Sequence, residues 1–193
     1  MQDYEYGRIG QLAKKLEQFE IDESIIEQIM AGGETIRKNA TPQKKAQWLK
    51  GAMDRMDTLL DESTRRAVRE SCACCLGGKR LEISKQIAKT NATLEDRIKA
   101  ANEAKFVFGN SVTMEDNGKI VVSFFPEGLE KYRCVCLPKA SEPVSVTYCY
   151  CCGGHAKHHL QIALDKKLTC KVRSSALSSE GKQPCTFEFS INE

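Results

Sequence analysis

Thr93-Leu-Glu-Asp96-Arg-Ile98-Lys-Ala-Ala101-Asn-Glu-Ala104 runs into Lys105-Phe-Val-Phe108 and, after Asp116-Asn-Gly118, into Lys119-Ile-Val-Val-Ser-Phe-Phe125. The change of character near Lys105 decides the fold class. Thr93 to Asp96 resembles a capping box, and Ile98, Ala101 and Ala104 recur at helical spacing, so this piece predicts a helix. The β-branched and aromatic runs that follow predict strands, with Asp116-Asn-Gly118 as the turn between them.

Towards the N-terminus the helical spacing continues. Leu12, Leu16 and Phe19 mark a helix over 11–19, and Ile25, Ile26, Ile29 and Met30 mark another over 21–30, ended by Gly32-Gly33. Thr41-Pro42 reads as an N-cap with proline at the first helical position, opening a stripe of Ala46, Leu49, Met53, Met56 and Leu60. Further helices are expected from Asp61 to about Arg69 and from about Arg80 to Lys89, the latter on Ile83 and Ile87. Towards the C-terminus, Tyr132-Arg-Cys134-Val-Cys136-Leu137, Leu168 to Val172 and Thr186 to Ile191 read as strands, interrupted by a helix from about Cys152 to Lys166. The expected architecture is α+β: a helical N-terminal half, residues 1–104, and a C-terminal half, residues 105–193, with an antiparallel sheet packed on helices. The two halves could equally form one continuous domain.

Composition narrows the function classes. Of 193 residues, 41% are hydrophobic and 28% charged, which places the chain among globular proteins rather than disordered ones. The 29 basic and 26 acidic residues nearly cancel and are not gathered into long runs, so a nucleic-acid interface is not expected. The opening MQDYEYGRIG lacks the apolar core of a secretory signal, and no stretch approaches the ~18 apolar residues of a membrane span. A cytoplasmic protein is expected. Ten cysteines in a reducing compartment point to metal binding or redox chemistry before disulfides.

Six of the ten fall in two similar segments. Cys72-Ala-Cys74-Cys75-Leu-Gly77-Gly78 and Cys149-Tyr-Cys151-Cys152-Gly153-Gly154-His155 are both C-x-C-C followed by a glycine pair and a helix start. A helix N-terminus favours thiolates, and glycines permit a loop in which several sulfurs face one ion. All three histidines follow directly, and on a helix Cys152, His155 and His159 share roughly a 60° arc. Cys72, Cys74, Cys75, Cys149, Cys151, Cys152, His155 and His159 are therefore the candidate metal ligands, with His158 on another face. Zinc suits mixed Cys/His ligands, while copper(I) and an iron-sulfur cluster suit a thiolate set. The competing reading makes these cysteines small buried hydrophobes. Cys134 and Cys136 share one side of their expected strand, either approaching the cluster or half-buried, and Cys170 and Cys185 read as packed thiols.

Two resemblances add to this. Cys151 to Ile191, with its cysteine- and glycine-containing helix start, its helix and strand, and the ending Gly181-Lys-Gln-Pro-Cys185-Thr-Phe187, resembles the closing part of the 4-vinyl reductase type, or hydrocarbon-binding, domain. Members usually carry a further cysteine where this chain has Leu177. Cys72 to Arg80, Phe124-Phe-Pro-Glu-Gly-Leu-Glu130 and Tyr148 to His155 together resemble a bacterial family of uncharacterised cysteine-rich proteins. The first resemblance implies an α+β fold with an apolar small molecule between sheet and helices; the second implies no activity.

Three functions are consistent with these residues. A structural metal would clamp the two halves together. A catalytic metal on Cys75, Cys152 and His155 would keep an open position, with His159 or His158 as acid/base partner. A sensor of the hydrocarbon-binding type would need an apolar pocket. Thiol redox cycling is a fourth, without the C-x-x-C spacing that usually marks it.

Overall fold

A computed structural model describes residues 4–192. Met1 to Asp3, at the head of the segment read as lacking a secretory signal, and Glu193 lie outside the described residues. Helices fill the first half: α1 Gly7–Gln18, α2 Glu23–Met30, α3 Pro42–Leu59, α4 Glu62–Ser71, α5 Gly78–Thr90 and α6 Leu94–Glu103. The capping residues explain their starts. Asp22, Thr41, Asp61 and Thr93 each accept a hydrogen bond from a backbone N–H of the first turn, and Pro42 occupies the first helical position as expected. Arg97 in α6 ties helix ends together: its Nε and Nη2 donate to the Asn91 and Ala88 carbonyls at the end of α5, at 2.9 and 3.1 Å.

The second half holds a short helix α7 (Lys105–Phe108), strands β1 (Ser111–Met114) and β2 (Ile120–Ser123), helix α8 (Tyr150–Leu164), and strands β3 (Leu168–Ser174) and β4 (Thr186–Ile191). The sheet is antiparallel in the order β1-β2-β4-β3. Val112, Val122, Phe187 and Val172 form one cross-strand row, and Ile120, Phe189 and Cys170 the next. This face is covered by α8, and a single buried cluster joins it to Leu12, Met53 and Met56 of the N-terminal helices. The opposite face carries Glu188 between Lys119 and Arg173. The expected α+β class, with a helical first half and a C-terminal antiparallel sheet, is what the chain adopts.

Two expected strands are absent. Phe106-Val-Phe108 is α7, not a strand: the Val107 and Phe108 N–H groups both donate to Ala104 O, and Val107 and Phe108 are both buried while Phe106 is exposed. Two adjacent buried residues break the alternation that a one-sided strand requires. Gly109 then reverses the chain at φ 93°, where a Cβ would lie 2.9 Å from the Phe124 ring. Tyr132 to Leu137 is irregular and joins neither edge of the sheet, β1 or β3. This segment is held instead by Tyr132 N–H donating to Gly181 O.

Candidate functional site

The second cysteine segment is placed by the start of α8. Ser145 caps a 3-10 turn over Val146–Cys149, which feeds directly into the helix, so Cys151 and Cys152 lie in its first turn. Gly153 and Gly154 therefore belong to the helix, within the span expected from about Cys152, and form no loop around an ion. Their role is close packing. A Cβ on Gly154 would lie 2.3 Å from Glu70 O, and one on Gly153 would lie 2.7 Å from Cys170 Sγ. Contact without side chains at these two positions draws α8 against both α4 and the sheet, and so brings the Cys72–Cys75 loop, which leaves α4, over the start of α8.

The histidines hold that loop. His155 Nδ1 faces Cys74 O at 3.0 Å, His159 Nε2 faces Cys75 O at 3.0 Å, and His158 Nε2 faces Leu76 O at 3.2 Å. Three successive carbonyls are thus bonded by three side chains of one helix. The second nitrogens also have close neighbours: His155 Nε2 lies 3.1 Å from Val107 O, so a neutral ring donates to one of its two carbonyls, and His159 Nδ1 lies 3.0 Å from Ser84 Oγ. A metal on either ring would have to displace one of these partners. Among the described residues, no three His, Cys, Asp or Glu side chains stand close enough to hold an ion as they are arranged.

Burial disfavours the charged form of His159 and lowers its pKa to about 4, although the Cys75 carbonyl opposes the shift. The unfolded value lies near 6.5. The unfolded chain therefore binds the proton first as pH falls, so this contribution to stability is complete above about pH 6.5 and is lost towards pH 4. Unfolding free energies from urea denaturation at pH 7.5 and pH 5 should fall by on the order of 2 kcal/mol more in the parent chain than in His159→Asn. Equal pH slopes in the two proteins would remove the assignment.

The thiols divide by position. Cysteine-x-cysteine occurs at 72–74, 134–136 and 149–151. In each pair the first cysteine is buried and the second is more open. Cys74, Cys136 and Cys151, with Cys75 and Cys152, line one cavity of about 300 Å³. Cys136 Sγ lies 3.4 Å from Cys152 Sγ, and Cys74 Sγ lies 3.7 Å from Cys75 Sγ. Cys149, expected in the site, is turned away to Ser175 Oγ at 3.0 Å, and burial pushes its thiol up to about 12. Cys72 lines a narrower space of about 40 Å³ beneath, which it shares with Cys74, Cys136 and Cys151. Cys136 joins the site although its segment was read as a strand. The signal for it was the third C-x-C spacing, matching the other two.

Positive charge surrounds the sulfurs. Arg69 is 4% exposed, lies over the Tyr148 ring and donates from Nη2 to Tyr148 O at 3.2 Å, while its Nε has no partner among the described residues. Arg8 donates from Nη1 to Cys136 O at 2.5 Å and to the Tyr148 hydroxyl at 3.0 Å. Neither has a carboxylate partner among the described residues. A buried guanidinium requires an anion or a full set of acceptors nearby. Cys151 and Cys72 are the sulfurs whose electrostatic interaction with Arg69 is largest. The hydrogen bond with Cys152 and then the Arg69 charge bring Cys151 down to about 7. Hydrogen bonds from Cys134 and Cys152 hold Cys136 well below the ordinary thiol range, whereas the same contacts push Cys134 and Cys152 up.

Among the described residues no helix is long and apolar enough to cross a membrane. No curated protein and no solved structure matches the chain. The profile of a family of unknown function, DUF6144, matches residues 12–189, almost the whole of the region that builds both the sheet and the thiol cavity, and the chain belongs to that family.

Proposed function

We propose that the protein binds a metal through the cavity thiolates, Cys74, Cys75, Cys136, Cys151 and Cys152, with zinc as the first candidate and copper(I) or an iron-sulfur cluster as the alternatives. The observation that carries this reading is the convergence of five cysteines from three chain segments on one cavity, beside two arginines without carboxylate partners. A metal held by four thiolates carries net negative charge, and Arg8, Arg69 and the α8 N-terminus would offset it. With the histidine rings engaged on the loop, the donor set is sulfur alone, a set that suits all three metals. Cys74 and Cys75 follow α4, whereas Cys136, Cys151 and Cys152 come from the second half, so a bound metal would clamp the two halves in a reducing, cytoplasmic setting.

The open cavity above the sulfurs favours a second reading, in which one coordination position stays free for a small molecule or for catalysis. The resemblance of Cys151 to Ile191 to the hydrocarbon-binding domain supports the same pocket.

Protein purified anaerobically under reducing conditions should contain stoichiometric zinc, copper or iron by elemental analysis. Cys136→Ser with Cys152→Ser should lower metal content at least fivefold, and Cys149→Ala should leave it unchanged. Parent protein without stoichiometric metal, or a double variant that keeps it, would sink the proposal.

A further inference from the structure

The cavity is larger than its sulfurs require. A tetrahedral ion sits about 2.3 Å from each thiolate and closes the space between them. About 300 Å³ corresponds instead to a small-molecule site at the lower end of the usual range. The walls away from the sulfurs are carbon: Phe106, Phe124, Phe125 and Val135 line them. Phe106 and Val135 are 56% and 70% exposed, which leaves large apolar surface uncovered at the mouth.

The same mouth carries cations. Arg80 and Lys105 line the cavity, and the Arg80 guanidinium lies 4.1 Å from the centre of the Phe106 ring. Lys79 Nζ stands 6.0 Å from the centre of that ring. Among the described residues none of the three forms an ion pair, and no carboxylate lines this cavity. Arg80 is fixed by its stacking on Phe106 rather than by a salt bridge, so its outer N–H groups stay free to form a fork towards a carboxylate.

From this arrangement we infer that the cavity binds a small aromatic or otherwise flat apolar carboxylate, its body between Phe106 and Phe124 over the thiols and its anionic group on Arg80 and Lys105. The inference rests on the metal reading only in sharing that reading's cavity: metal content reports on one, and ligand binding on the other. The apolar walls favour the flat body, because burial of its faces against phenyl rings releases water from both. The cations select the carboxylate over a neutral molecule of the same shape.

The test compares 2-naphthoate with 2-naphthalenemethanol, followed by ligand fluorescence anisotropy on the full chain, with elemental analysis of each sample. The carboxylate should bind at least tenfold tighter than the alcohol at low salt. R80Q combined with K105Q should abolish that preference while leaving affinity for the alcohol within twofold. R80K, which keeps the charge but not the fork, should keep less than half of the preference, and Phe106→Ala should weaken both ligands at least fivefold with metal content and circular dichroism unchanged. Equal binding of the two ligands, binding of neither, or a preference that survives R80Q/K105Q overturns the inference. Protein that lacks metal and still prefers naphthoate overturns the metal reading and leaves this one standing.

Discussion

Gly154→Ala is expected to destabilise the fold by about 3 kcal/mol or more, against the sign that helix propensity predicts. In an ordinary helix interior, glycine to alanine gains about 1 kcal/mol. Here the added Cβ would lie 2.3 Å from Glu70 O and 2.9 Å from both Glu70 C and Cα, so it meets backbone that cannot rotate away. Either α8 lifts from α4 or the end of α4 unwinds, and overpacking of this kind typically costs about 1–3 kcal/mol and occasionally more. At Gly153 the obstacle is the Cys170 sulfur at 2.7 Å, a side-chain atom that Cys170→Ala removes. Gly153→Ala should therefore be the milder change and should be rescued in the Cys170→Ala background, whereas Gly154→Ala should not. Urea denaturation of the two glycine variants, of Cys170→Ala and of the two double variants measures this. A Gly154→Ala protein as stable as the parent would show that the α4–α8 contact is not as close as described.

Arg97→Ala is expected to lower the melting temperature by about 6–12 °C, corresponding to about 3 kcal/mol for a chain of this size. The Arg97 guanidinium donates to Asn91 O, Ala88 O and, through Nη1 at 2.9 Å, Leu164 O. Those carbonyls belong to the ends of α5 and α8, where helix dipoles place negative charge and the last carbonyls lack partners of their own. One planar group therefore satisfies acceptors from two helices, with charge-assisted bonds worth about 1.5–3 kcal/mol each at most. Lysine keeps the charge but not the fork, so Arg97→Lys should recover less than half of the loss. Full recovery by lysine would mean that charge alone, without geometry, accounts for the effect.

The helical half was legible because its signals are local. Asp22, Thr41, Asp61 and Thr93 lie beside the turns they cap, and stripes such as Ala46, Leu49, Met53 and Met56 repeat within one element. The misread strands depended on distant partners. Tyr132 to Leu137 has strand-like composition, but whether it pairs depends on contacts distant in sequence, and here its Tyr132 N–H donates to Gly181 O instead. The site shows the same division. Spacing correctly put Cys152, His155 and His159 on one helical face, yet spacing says nothing about what that face meets. It meets the carbonyls of Cys74 and Cys75, so the rings bond to backbone. The two glycine pairs carry the same letters and do different work: Gly78 sits at φ 58° with open space around it, while Gly153 and Gly154 are contact points in a helix. Cys136 was left between two readings, near the cluster or half-buried on a strand, because the strand assignment supplied a sufficient reason for its alternation.

The strand order bears on how the chain acquires this structure as it emerges from the ribosome. β4 lies between β2 and β3, yet follows both in sequence. Until it is synthesised, β1 and β2 are an isolated hairpin and β3 is unpaired, and neither piece is a stable sheet by itself. Phe187 and Phe189, the largest side chains of the sheet's inner face, arrive with it. The nascent chain can therefore assemble its helices early, but the floor beneath α8 closes in one late, long-range step, when β4 joins strands that are already in place.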